Sequence, residues 1–173
     1  MAIITLNNNS LSSVTSLPTG VGGKVLQVVQ TSTSTTFATT SDSFVDVPNL
    51  SVSITPSSSS NKVLISFNIY VGCNNADEIH INLLRGSTVI GNNSNSETIQ
   101  AVLITDNFRM NTVNYSFLDS PSTTSATTYK IQMRKNGAGA AAYVNDRGYE
   151  GSASGTNPKW GNSQLTLMEI TGW

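Results

Sequence analysis

The sequence is poor in the residues on which most chemistry depends. It has one cysteine, Cys73, and one histidine, His80. A lone cysteine excludes an intrachain disulfide framework, and a lone histidine beside it leaves no Cys/His cluster at zinc-ligand spacing. Cys73, at the end of a strand-like run in YVGCNN, reads as a buried structural thiol. Charge is scarce as well: only 11% of the 173 residues are charged and the formal net charge is -1. No basic field exists to hold a phosphate backbone or an anionic lipid surface, so nucleic acid is not an expected partner. Long apolar runs are missing, which argues against membrane insertion, and MAIITLNNNS lacks the basic n-region of a secretory signal. No segment sustains a helical period, and no internal repeat suggests a solenoid or propeller.

What is present is hydroxyl and amide. The chain has 25 Ser, 21 Thr and 19 Asn, together 65 of 173 residues, types that favour strands, turns and loops over helix interiors. The 38% of apolar residues come in short alternating runs, the pattern of half-buried strands and not of a disordered chain. These runs are KVLQVVQ (24–30), FVDV (44–47) and LSVSI (50–54) around a Pro48-Asn49 break, KVLISFNIY (62–70), EIHINLL (78–84), IQAVLI (99–104), TVNYSFL (112–118), TYKIQMR (128–134), AAAYV (140–144) and QLTLMEI (164–170). Arg85-Gly86-Ser87-Thr88 reads as a tight turn into Val89-Ile90. Nine or ten short strands with Ser/Thr/Asn/Gly turns predict an antiparallel β-sandwich or jelly roll over residues 24–173. Residues 1–23, with few charges and a closing Gly22-Gly23, cannot build a core. They read as an extended arm whose Ile3, Ile4, Leu6, Leu11, Val14 and Leu17 would anchor it on another chain.

Candidate sites are few. His80 lies beside Asp77 and Glu78, but a strand sends His80 and Glu78 to one face and Asp77 to the other, so the three do not converge. With no nucleophile signalled nearby, His80 reads as a surface or interface residue. GSASG at 151–155 puts Ala153 where a serine-hydrolase elbow needs its nucleophile. The acidic pairs Asp42/Asp46 and Asp146/Glu150 are too generic for glycoside hydrolysis or calcium binding, so no cofactor, metal or catalytic residue is assigned. The long Gly-rich stretch 145–163 is the one candidate outer contact loop, through Arg147, Tyr149, Glu150, Lys159 and Trp160. The stretch between the strands at 112–118 and 128–134 is polar and reads as a surface crossover, with Tyr115 and Phe117 sharing one face before it and Tyr129, Ile131 and Met133 after it.

GGKVLQVV (22–29), FVDVPNLSVSITPSSSSNKVLI (44–65), LLRGST (83–88), FLDSPSTTSATTYKIQMR (117–134) and LTLMEI (165–170) together resemble small virion proteins of tailed bacteriophages, particularly phages of cyanobacteria and marine bacteria. That resemblance covers about residues 22–170 and implies a jelly roll of the complement-C1q and tumour-necrosis-factor type that assembles as a homotrimer. It implies a non-enzymatic structural protein located in the virion, with the major capsid protein or another virion protein as partner. The short chain with an arm looks like a capsid decoration, or cement, protein that stabilises the head. The alternative implied by the same resemblance is a tail-fibre tip that contacts host surface glycan through the 145–163 loop.

Overall fold

A computed structural model describes residues 24–92, 99–105, 109–136, 141–148 and 161–171, all strand, turn or coil. Eleven strands follow in order: β1 (Val25–Thr33), β2 (Phe37–Thr39), β3 (Val45–Ile54), β4 (Lys62–Cys73), β5 (Asp77–Arg85), β6 (Thr88–Ile90), β7 (Gln100–Ile104), β8 (Arg109–Asp119), β9 (Thr127–Lys135), β10 (Ala142–Val144) and β11 (Ser163–Ile170). The expected anchoring arm, residues 1–23, lies outside the described residues.

Every pairing is antiparallel. In sheet A, β1 lies on β11, β11 and β10 both lie on one side of β4, β2 extends beyond β10, and β8 takes the other side of β4. In sheet B, β3 lies on β9, β9 on β5, and β5 carries β6 and β7 on its far side. β1 with β2, β6 with β7, and β10 with β11 each occupy one strand position, which leaves eight positions. In chain order the sheets then read 1-8-3-6 and 2-7-4-5. The pairs 4-5, 3-6, 2-7 and 1-8 are nested, as in one long hairpin rolled up across two sheets, and this is the jelly roll. The expected fold class stands.

The roll closes because the strands alternate. Along β4, Val63, Ile65, Phe67, Ile69 and Val71 are buried while Leu64, Ser66, Asn68 and Tyr70 face outward and are partly exposed. Ile79, Ile81 and Leu83 of β5, Tyr129, Ile131 and Met133 of β9, and Leu165 and Leu167 of β11 meet them in one core. Burying a side chain of this size contributes about 1.5–3 kcal/mol. The expected Pro48-Asn49 break is a bulge within a continuous β3: Asn49 has φ 63, and the register against β9 shifts between Asp46 and Ser51. β2 has three residues and one alternation, too short to leave a sequence signal. Tyr115 and Phe117 face the core side, with the Tyr115 ring tilted against Phe67 at 5.8 Å between centroids, while 120–126 crosses from sheet A to sheet B over the surface.

Candidate functional site

Two buried carboxylates close one end of the sandwich. Glu169 and Asp119 both pair with Val63, so they stand in one row on the inner face of sheet A, on either side of β4. Asp119 receives Nη1 of Arg85 at 2.8 and 2.9 Å and the hydroxyl of the fully buried Tyr129 at 2.6 Å, which ties β8 of sheet A to β5 and β9 of sheet B. Burial pushes the Tyr129 phenol up, and its bond to Asp119 pushes it further the same way. Glu169, 1% exposed, accepts from Nδ2 of Asn61 (2.6 Å), Nε2 of Gln27 (2.6 Å), and the backbone N–H (2.6 Å) and hydroxyl (2.8 Å) of Ser57. Burial alone raises this carboxyl more than any single partner lowers it. The bonds from Asn61, Gln27 and Ser57 together outweigh burial and bring the pKa to about 2. These groups pin the 55–61 crossover and are structural.

Sequence reasoning passed over both residues, although a signal was present. Parity places 165, 167 and 169 on one side of β11, and 113, 115, 117 and 119 on one side of β8. A charge at an inward position must find partners or stay neutral.

His80 faces away from Ile79 as expected, but it is 9% exposed and its neighbour Asn82 2%, so this face of β5 is covered and His80 is not a surface residue. Its Nδ1 lies 3.4 Å from Nη2 of Arg134, and its Nε2 3.4 Å from Oε2 of Glu78. A guanidinium can only donate, so Nδ1 accepts and Nε2 holds the proton. Neither neighbour is a nucleophile, and Arg134 opposes any metal cation there. Cys73 is fully buried, and burial pushes its thiol up, away from reactivity. Among the described residues no group of three or more His, Cys, Asp or Glu side chains could hold a metal ion.

Of the five candidate side chains in the contact loop, only Arg147 is described; Tyr149, Glu150, Lys159 and Trp160 lie outside the described residues. Arg147 is half-buried, and its backbone packs so closely on Gly72 that a Cβ there would lie 2.9 Å from the Arg147 Cα and 2.2 Å from the Asp146 oxygen. The loop leaves from a fixed base. Buried Asn145 donates to the carbonyls of Thr33 (2.8 Å) and Thr35 (3.1 Å) and accepts from the Ser163 hydroxyl (2.7 Å), joining both ends of the 145–163 stretch. The arm residues Ile3, Ile4, Leu6, Leu11, Val14 and Leu17 are likewise outside the described residues.

The outer face of sheet A is the most distinctive surface. Its side chains form rows that cross β1, β11, β4 and β8. Val28, Met168, Leu64 and Leu118 make an apolar row, with Val28 54% and Leu118 42% exposed. Next comes Gln30, Thr166, Ser66 and Ser116, then Ser32, Gln164, Asn68 and Asn114. The two polar rows line a shallow furrow of about 220 Å³. Amides there are already knitted together: Gln30 Nε2 donates to Thr166 Oγ1 at 2.9 Å and Asn68 Nδ2 to Asn114 Oδ1 at 2.5 Å. None of these twelve positions is charged. An exposed apolar row beside neutral hydrogen-bonding groups is the chemistry of a protein contact.

No protein-family model matches the chain, and no curated protein does. Several solved structures are similar in part, three of them from infectious bursal disease virus. A chain from the structure of infectious bursal disease virus, Gx strain, is 10% identical with a TM-score of 0.41, covering 83% of this chain and 36% of that one. A chain of the T13 particle of infectious bursal disease virus is 9% identical with a TM-score of 0.42, covering 87% and 36%. The third, from the VP2 subviral particle of the same virus, is 11% identical with a TM-score of 0.33, covering 84% and 38%. This chain thus spans little more than a third of the length of each neighbour. At that level of likeness the fold description rests on the strand order itself, and function on this chain's own surfaces.

Proposed function

We propose that the protein is a non-enzymatic structural subunit of a virion: a homotrimeric capsid decoration protein whose jelly roll stands on the head and whose residues 1–23 bind the major capsid protein. The single observation that supports it most is the outer face of sheet A, an uncharged apolar-and-amide surface crossing β1, β11, β4 and β8. Such a face suits burial against further copies. Closed assembly lets each arm repeat the same modest contact, so that avidity holds the whole. The chain then works mechanically, adding buried surface between coat subunits.

The test is to delete residues 1–20 and measure occupancy on empty heads. Full-length protein should saturate them and the truncated protein should bind at least tenfold more weakly. Undiminished occupancy would sink the role of the arm.

A fibre-tip adhesin is the second reading, favoured by the fixed base that Asn145 and Ser163 give to the 145–163 loop. On that reading Tyr149→Ala with Trp160→Ala abolishes adsorption to host cells, and unchanged adsorption would count against it.

A further inference from the structure

The two sheets of the sandwich have four outer edges, and three are blunted. β1 carries a register shift between Val25 and Gln27 and is laced to β3 through Thr31 Oγ1 to the Asn49 carbonyl (3.0 Å) and Gln27 Nε2 to the Thr55 carbonyl (2.7 Å). β3 has Pro48 and the bulge at Asn49. The far edge of sheet B is made of short pieces, β6 of three residues and β7 of five. Bulges, proline and short strands are the usual protection against strand pairing with another chain. β8 is also laced to sheet B, by Asn111 Nδ2 to the Leu103 carbonyl of β7 (3.4 Å) and by the Tyr115 hydroxyl to the Gly91 carbonyl after β6 (2.7 Å), but it has no bulge, no proline and no break. Its eleven residues keep unbroken register with β4 from Cys73↔Arg109 to Val63↔Asp119, without glycine or proline. Among the described residues no strand pairs with its other side.

We propose that this edge pairs antiparallel with β8 of a second copy, about a two-fold axis through Asn114. The sequence RMNTVNYSFLD fits itself in that register. Asn114 then faces Asn114 of the second copy, Thr112 faces Ser116, Met110 faces Leu118 on the outer side, and Val113 faces Tyr115 on the inner side. Each row of sheet A runs on into its own kind: the apolar row through Leu118 into the second copy's Met110, the hydroxyl row through Ser116 into Thr112, and the amide row through Asn114 into Asn114. Moving the axis to Ser116 or Thr112 sets Asn114 against Leu118 or Met110. Like would then meet unlike in the rows. Among the axes that keep most of β8 paired, the one through Asn114 is the one that gives the half-exposed Leu118 an apolar neighbour.

This contact goes beyond the trimer reading, because it joins one assembled unit to the next whatever number of copies each unit holds. A single strand pairing is small beside the roughly 1,200–2,000 Å² of a stable specific interface. It is therefore transient between free chains and lasting where neighbours are held side by side.

Disulfide trapping tests it on the full-length protein. Residues directly opposite across an antiparallel pair have Cβ atoms about 4.5–5.5 Å apart. Asn114→Cys should therefore give a disulfide-linked dimer under mild oxidation at least tenfold faster than Ser32→Cys, an outward position of the same row on β1; wild type, whose Cys73 is buried, is the blank. Equal rates for the two variants would overturn the proposal. In a chain with Thr112→Cys and Ser116→Cys, adding Asn114→Lys puts two ammonium groups on the axis and should slow cross-linking at least tenfold. An unchanged rate would also overturn it. Copy number by native mass spectrometry of the unmodified chain tests the trimer separately.

Discussion

The two sheets turn different chemistry outward. Sheet A shows apolar, hydroxyl and amide rows, with Lys62 the charge at its border. Sheet B shows ion pairs and charged hydrogen bonds: Lys130 Nζ to Asp46 at 2.8 Å, Gln132 Nε2 to Asp46 at 2.6 Å, Asn136 Nδ2 to Glu78 at 3.1 Å, and Arg134 over the Phe44 ring at 5.3 Å. In a chain with so few charges, placing them on one side is a division of labour. Charged groups resist desolvation, so the part of sheet B around Asp46 and Lys130 stays in water although His80 and Asn82 of β5 are covered, whereas neutral rows lose little when covered. The carboxylates repeat the contrast. Glu169 of sheet A is buried among neutral donors, and Asp46 of sheet B is exposed beside Lys130, which with Gln132 holds it below the usual carboxylate range.

Breaking the contrast at Glu169 should have the largest effect. Glu169→Ala leaves the Ser57 N–H and the Asn61 and Gln27 amides without their acceptor, for a loss of about 3–5 kcal/mol in a denaturant titration. The acid response sharpens the same point. The folded pKa of about 2 lies below the ordinary 4.5, so this group's stabilisation is complete above the ordinary value and drains away as pH falls toward 2. Melting curves between pH 5 and pH 2 should therefore fall more steeply for wild type than for Glu169→Gln. Next in size, Leu64→Lys with Met168→Lys brings charge into the apolar row of sheet A and should weaken self-association about tenfold to a hundredfold by sedimentation, about 1.4–2.8 kcal/mol. Leu103→Lys on the exposed side of sheet B should leave association unchanged. The smallest effect belongs to Asp46→Ala, which should cost less than about 1 kcal/mol and less still in high salt, because the pair it breaks is exposed.

The sequence made the strands and their inward residues legible, since each strand has to turn apolar groups one way. β4 and β9 are the clearest cases, with Val63 to Val71 and Tyr129 to Met133 buried at every second position. It did not make legible which strand lies beside which, because pairing is decided by the whole roll and not by any window of residues. The contact rows of sheet A exist only through that registration: Val28, Leu64, Leu118 and Met168 are scattered along the chain and become one surface when the partners are known. Nor could alternation tell whether an outward face is covered, which is why His80 looked exposed. The candidate loop was legible only as a stretch of unusual composition, and Arg147 shows its base to be packed on Gly72.

The nesting of the strands also bears on how the protein is made. β11, the last of the described strands in chain order, lies between β1 and β4 in the middle of sheet A, and the N–H of Thr171 bonds the carbonyl of Lys24 at 2.8 Å. A chain emerging from the ribosome therefore holds β1 without its neighbour in the sheet until β11 has been made. Folding of sheet A is then a late event, and a nonsense mutation that removes β11 would strand β1 and leave a gap through the centre of the sheet. Non-local closure of this kind is slow, so the pairing of β1 with β11 completes sheet A late in folding.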